Sequence, residues 1–134
     1  ARARTPEQRT VFDSHRLSAY LELGQPERAV PMLEASERDL PDDYNPPARL
    51  AAAYRAMKRW DEALAASDRA LARVYGPRKL GIYSARADIL GGRGDTAAAR
   101  RALEEALAYA DSLPAEQRSE GMLAALRKKL EALE

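Results

Sequence analysis

Pro47-Ala48-Arg49-Leu50-Ala51-Ala52-Ala53-Tyr54, followed by Trp60-Asp61-Glu62-Ala63 and then Ala70-Leu71, decides the fold of this 134-residue chain. Leu50, Ala51, Tyr54 and Met57 recur at three- and four-residue spacing, the mark of an amphipathic helix with those residues inward. Lys58-Arg59 make a turn, and a second helix runs from Trp60 to about Val74. Working outward, the first helix starts near Thr5, with Pro6 in its first turn, and runs to Leu23 along an apolar line of Val11/Phe12, Ala19/Tyr20 and Leu23. Gly24 ends it. Gln25-Pro26 opens the next helix, which carries Ala29, Leu33 and Ser36 to about Asp39, and Pro31 inside it should bend the first turns. Pro41 to Tyr44 form a loop, and Asn45-Pro46-Pro47 reads as a cap plus helix start. Beyond Gly76-Pro77, a fifth helix spans about Arg78 to Leu90 and ends at Gly91-Gly92-Arg93-Gly94. Asp95 or Thr96 caps a sixth helix reaching about Ser112, and Pro114 opens a seventh. No segment sustains a two-residue alternation, so the chain reads as all-helical.

The helices fall into a repeat. Tyr20, Gly24, Ala29, Leu33, Ser36 and Pro41 become Tyr54, Lys58, Ala63, Ser67, Ala70 and Tyr75 when shifted by 34, and Leu90, Gly94, Ala99, Leu103, Ala106 and Asp111 after a further 36. Each set has a large residue ending one helix, a turn residue that is glycine in two of the three, and small residues on the next helix. Two helices that cross closely need a small side chain at the crossing, supplied by Ala29, Ala63 and Ala99. A left-handed turn position favours glycine. One helical hairpin cannot bury its own apolar face, so such units stack.

Composition bounds what the chain can do. There are 28 alanines and 17 leucines with only 6% aromatic residues, the bias of long helices. With no cysteine, disulfides, thiol catalysis and cysteine-ligated metals are excluded. That absence fits a bacterial cytoplasm and a periplasm equally. The 22 basic and 21 acidic residues nearly cancel, which argues against nucleic acid and against a polybasic membrane anchor. No apolar run approaches about 18 residues, so the expectation is a soluble chain without membrane insertion. Arginine exceeds lysine 18 to 4, which with the alanine excess points to a GC-rich bacterial source. A start at Ala1 fits a piece of a longer protein whose targeting signals lie elsewhere.

The repeat resembles the tetratricopeptide repeat, two antiparallel helices in 34 residues. It is carried best by Pro47–Leu71, nearly as well by Ala87 and Leu90 through Gly94-Asp95 to Ala99-Arg100-Arg101-Ala102-Leu103, and less well by the first repeat, where Arg16 and Leu17 stand for a large apolar and a small residue. The resemblance implies a right-handed superhelical stack of about seven helices forming one domain over 1–134, with repeats near 10–43, 44–77 and 80–113 and a capping helix over 114–134. In that last helix Met122, Leu126, Leu130 and Leu133 make one face with Leu123 beside it, while Arg127, Lys128 and Lys129 face water. Two shorter stretches, Asp42-Asp43-Tyr44-Asn45-Pro46-Pro47 and Val74-Tyr75-Gly76-Pro77-Arg78-Lys79-Leu80, look like the repeat-containing C-terminal part of some bacterial thioredoxin-like proteins.

Candidate chemistry is sparse. His15 is the only histidine, and its neighbours Asp13, Ser14 and Ser18 form no triad or ligand set. Gly91-Gly92-Arg93-Gly94 lacks the Gly-Lys-Ser/Thr ending of a phosphate loop and coincides with a repeat turn. Asp42/Asp43, Asp61/Glu62 and Glu104/Glu105 lie at loops, helix starts or solvent faces. Trp60, in a first helical turn, is expected to pack between repeats. No enzyme activity and no cofactor are expected.

Function falls instead to the first helix of each repeat, which the resemblance places along a concave groove. The inward positions there are Ser14, Ser18 and Glu22, then Asn45, Arg49 and Arg55, then Ser84 and Asp88. Members of the family that clamp a C-terminal carboxylate use a lysine/asparagine set. Here only Arg49 approaches it, and the third repeat offers Gly81 and Ala85. The expectation is a non-enzymatic module binding a partner's peptide or helix, with an acidic group facing the arginines. The alternatives are an accessory domain of a thioredoxin-like redox protein and a homodimer formed by the last helix or the first repeat.

Overall fold

A computed structural model describes residues 5–133; the expected domain limits at 1 and 134 lie outside these. Seven α-helices follow one another: α1 Pro6–Glu22, α2 Ala29–Asp39, α3 Asn45–Ala56, α4 Trp60–Arg73, α5 Arg78–Gly92, α6 Thr96–Ser112 and α7 Glu120–Ala132. Short 3-10 turns at Pro26–Arg28 and Ala115–Gln117 precede α2 and α7. The chain forms two compact units that divide between Arg73 and Val74. In the first, α1 packs on α2 and α3, α2 on α3, and α3 on α4; in the second, α5 packs on α6 and α6 on α7.

Three turns are built alike. At Gly24, Lys58 and Gly94 the backbone enters the left-handed region, with φ of 71°, 60° and 91°. The next residue then reaches back across the helix end: Gln25, Arg59 and Asp95 donate their N–H to the carbonyls of Tyr20, Tyr54 and Leu90 at 2.8, 2.9 and 2.9 Å. The left-handed residues donate in turn to Leu21, Arg55 and Gly91. These paired bonds satisfy carbonyls that the helix end would orphan. The chain then reverses directly into a helix whose small residue sits at the crossing. Ala29, Ala63 and Ala99 are buried, as are Ser36, Ala70 and Ala106 two turns on.

Local chemistry sets the helix starts. Thr5 and Gln8 form a reciprocal capping box on α1, Asp95 accepts from the Ala98 N–H at 3.0 Å, and Ser119 caps α7 through the Met122 N–H at 3.2 Å. Asn45, expected as a cap, is instead the first residue of α3. The capping acceptor is Asp43 Oδ1, which takes the Asn45 backbone N–H at 2.8 Å and its side-chain amide at 3.0 Å. Pro31 falls in the first turn of α2, where its missing N–H would have no intrahelical partner anyway. The strain expected inside that helix is avoided by the 3-10 turn ahead of it. Pro114 likewise opens a 3-10 turn rather than α7 itself, and Gly91 and Gly92 belong to α5 rather than to the turn.

The face of α1 differs from its apolar line. The side turned to α2 and α3 bears Leu17 and Asp13, both buried, and half-buried Tyr20, whereas Val11, Phe12 and Leu23 are exposed. Ser36 Oγ on α2 donates to Asp13 Oδ2 at 2.5 Å. That contact satisfies a carboxylate that burial alone would penalise. In α7, Leu123 and Leu126 are buried, with Met122, Leu130 and Leu133 half-buried around them. The loop Val74–Pro77 is held by α6, where the Tyr109 hydroxyl accepts the Gly76 N–H at 3.1 Å while Lys79 lies over the Tyr109 and Tyr83 rings.

Two substitutions test this architecture. Lys58 is the one non-glycine residue with positive φ among the described residues, so Lys58→Gly is expected to raise stability by about 0.5–1 kcal/mol, read as a higher urea midpoint at unchanged slope. Ser67 stands where Leu33 and Leu103 stand in the other repeats, and its hydroxyl is buried without a partner. Ser67→Ala is expected to gain about 1 kcal/mol in the same measurement.

Candidate functional site

The candidate site is the exposed polar face of the first helix in each pair. On α1, Ser14, Ser18 and Glu22 follow one another at four-residue spacing and are exposed. Their side chains make no hydrogen bond or ion pair with another described residue. Arg55, in the last turn of α3, is likewise exposed and uncommitted. These four leave their polar atoms available to a ligand.

The other four sequence-identified residues are engaged within the chain. Arg49 is half-buried, and its guanidinium donates to the Thr10 carbonyl of α1 at 2.8 Å. Asn45 gives its amide to Asp43. In the second unit, Ser84 and Asp88 on α5 are brought together by Lys129 of α7. The Lys129 ammonium lies 2.7 Å from Ser84 Oγ and 3.0 Å and 3.1 Å from the Asp88 carboxylate oxygens. Lys129 is therefore tied to α5 rather than left wholly to water as its position in the basic run implied, with its side chain still 38% exposed. The packing of α7 on α6 turns it toward α5, and the long stem carries the charge to a carboxylate.

The first unit also holds an open cleft of about 310 Å³ lined by Glu34, Glu37, Arg38, Leu50, Tyr54 and Arg69, which sequence reasoning missed. Glu37 on α2 receives a forked pair from Arg69 on α4, at 2.9 and 3.1 Å, and a third contact from Arg73 at 3.0 Å. Arg73 also donates to the Asp43 carbonyl in the α2–α3 loop at 3.3 Å. Burial pushes the Glu37 carboxyl upward, but the Arg69 hydrogen bonds and the charges of Arg69 and Arg73 outweigh it and hold the group below the ordinary glutamate value. The Arg69 guanidinium is raised by its bonds to Glu37. Tyr54, on the cleft wall, is raised by burial and by the nearby Glu34 and Glu62 carboxylates. Glu34 and Glu37 stand three residues apart and Arg69 and Arg73 four, spacings that put each pair on one helix face.

Other expected features take their places as scaffold. His15 is exposed, Trp60 is half-buried at the start of α4, and Arg59 pairs with Glu62 at 2.6 Å. Among the described residues, no group of three histidine, cysteine, aspartate or glutamate side chains could hold a metal ion, and no helix is long and apolar enough to cross a membrane.

The depressed Glu37 gives a signed pH test. A carboxyl lowered in the folded state adds stability above its unfolded value, and that stability is lost as pH falls through the folded value. Glu37→Gln is expected to cost about 1 kcal/mol at neutral pH. The cost should disappear below the ordinary glutamate range, where wild type and variant converge in thermal melts followed from pH 7 to pH 3.

A search of curated proteins finds none that matches the chain. The family model described as Tetratricopeptide repeat matches residues 44–112, half of the chain, and so spans α3 to α6. Together with three left-handed turns in one register and alanines buried at each crossing, this places the chain in the tetratricopeptide repeat family, non-enzymatic modules that generally mediate protein–protein interaction.

Proposed function

We propose that the chain binds a peptide or helical segment of a partner protein along its first-helix faces. In the first unit the binding set is Ser14, Ser18 and Glu22 of α1 with Arg55 of α3. Arg49 and Asn45 frame that set, and Ser84 and Asp88 form the corresponding frame on α5. The observation that supports this reading is the division of the eight residues. Four are exposed with side chains that bond to no other described residue, while four are bonded within the chain. A surface fixed before binding loses little entropy when a segment docks. Arg55 favours a carboxylate in that segment, which a guanidinium holds with two parallel bonds, and the serines accept or donate to peptide groups.

A phage-displayed library of random peptides selected on the whole chain tests the reading. Wild-type selection is expected to enrich acidic peptides, and Arg55→Glu should weaken the enriched sequences by about tenfold or more, or about 1.4 kcal/mol. Enrichment that is indifferent both to Arg55→Glu and to Glu22→Ala would remove this face as the binding site.

A further inference from the structure

Lys129 of α7 shows what a serine and an acid one turn apart can hold. Its ammonium lies 2.7 Å from Ser84 Oγ and 3.0 and 3.1 Å from the two Asp88 carboxylate oxygens. Residues four apart on a helix stand side by side on one face. Their three oxygens converge on one nitrogen, and an ammonium has three donors to meet them. A guanidinium spreads its donors in a plane and suits a lone carboxylate better than this cluster. The seat also lies toward the end of a helix without a cation of its own. α5 has no basic residue in its last turn, and Lys129 brings the positive charge that the negative end of a helix dipole favours. α6 has none either, and there Arg118 donates to the Leu113 and Asp111 carbonyls at 2.9 and 3.2 Å.

The same serine and acid recur on α1. Ser18-Ala19-Tyr20-Leu21-Glu22 repeats the spacing of Ser84-Ala85-Arg86-Ala87-Asp88. It stands one turn further along in the repeat, since shifts of 34 and then 36 carry Ser14 and Ser18 onto Ser84 and Asp88. Ser18 and Glu22 are exposed and bond to no other described residue. Glu22 is the last residue of α1, and its last turn also has no basic residue. Arg28 is committed elsewhere, over the Tyr20 ring at 5.0 Å and to Gln25 at 3.0 Å. Two residues of helix place Glu22 about 200° around α1 from Tyr20. We infer that Ser18 and Glu22 form a seat for the ammonium of a lysine in the bound segment, built as Ser84 and Asp88 build theirs for Lys129. Glu22 is one methylene longer than Asp88, and the added torsion lets it meet the same ammonium across the turn. Leu21, 37% exposed between them in sequence, offers apolar surface to the lysine stem. The inference rests on α1 being part of the binding face. It adds the chemistry of the partner there: a lysine at Ser18 and Glu22, beside the acidic group at Arg55.

Two measurements on the whole chain decide it. In urea unfolding, Lys129→Met and Asp88→Asn should each lower the midpoint, and the double variant should lose less than the two losses added together. Strictly additive losses would show that the α5 seat does not grip its lysine in solution, and overturn the inference. In selection of displayed random peptides, wild type is expected to enrich lysine over arginine at one position of the acidic sequences. Glu22→Gln, and separately Ser18→Ala, should remove that lysine preference and keep the acidic one, with an unchanged helical circular-dichroism spectrum because both sites are exposed. An enriched peptide resynthesised with its lysine acetylated should bind wild type about threefold to fivefold more weakly, and acetylation should make no difference to Glu22→Gln. Acidic peptides without a lysine preference, or a preference that survives Glu22→Gln, overturn the inference and leave the peptide-binding face standing. No enrichment at all overturns that face and the inference with it.

Discussion

The close crossing of two helices over an alanine is the constraint on which the rest depends. Ala29, Ala63 and Ala99 lose essentially all solvent contact, and a larger side chain at any of them would force the two backbones apart. To bring the second helix to that distance, the connection must reverse within two or three residues. The left-handed conformation at Gly24, Lys58 and Gly94 does this while returning the next N–H to the helix just ended. Crossing and turn thus specify each other. Lys58 shows the strength of the geometry, because the turn keeps its shape where a side chain opposes it.

Polar ties work over a longer range and bind one pair to the next. Glu37 is joined to Arg69 and Arg73, Arg49 to the Thr10 carbonyl, Lys129 to Asp88, and Arg100 to the Leu133 carbonyl at 2.9 Å. Each tie spans a little more or less than one repeat of sequence. Long side chains are suited to this, since their stems cover apolar surface between neighbouring helices while the charged ends reach a fixed acceptor. Apolar packing makes each hairpin, and these ties fix how successive helices of the same kind lie beside one another within a unit.

Much of this was legible in the residues. The small-residue register, the turn positions, the start of α1 near Thr5, the cap at Asp95 and most of the helix limits follow from local chemistry that acts within about five residues, whereas the start of α7 and the cap of α3 do not. Three matters were not legible. The covered side of α1 was misread because apolar periodicity marks surfaces fit for burial without saying which is buried, and α1 offers two. The Asp13–Ser36 contact joins residues that look unremarkable in sequence, and only the packing of α1 on α2 makes a buried pair of them. Lys129 looked like part of a solvated basic run, yet the neighbouring α5 supplies a carboxylate within its reach. At the candidate site, spacing located the face, but whether a polar group there is open or already bonded depends on an element some 40 residues away.

The arginines that bond to backbone carbonyls have a consequence of a different kind. Arg49, Arg73 and Arg100 reach the carbonyls of Thr10, Asp43 and Leu133, and Arg118 folds back on those of Leu113 and Asp111 at the end of α6. A guanidinium stays charged throughout the accessible alkaline range, and a peptide carbonyl has no proton to gain. Ions in solution screen a pair of opposite charges more strongly than a charge held against a neutral dipole. In brine, or in acid below the ordinary glutamate range, the chain would lose its carboxylate ties first and keep these, loosening at particular joints rather than all at once. The excess of arginine over lysine thus supplies fastenings whose hold is set by geometry more than by the medium.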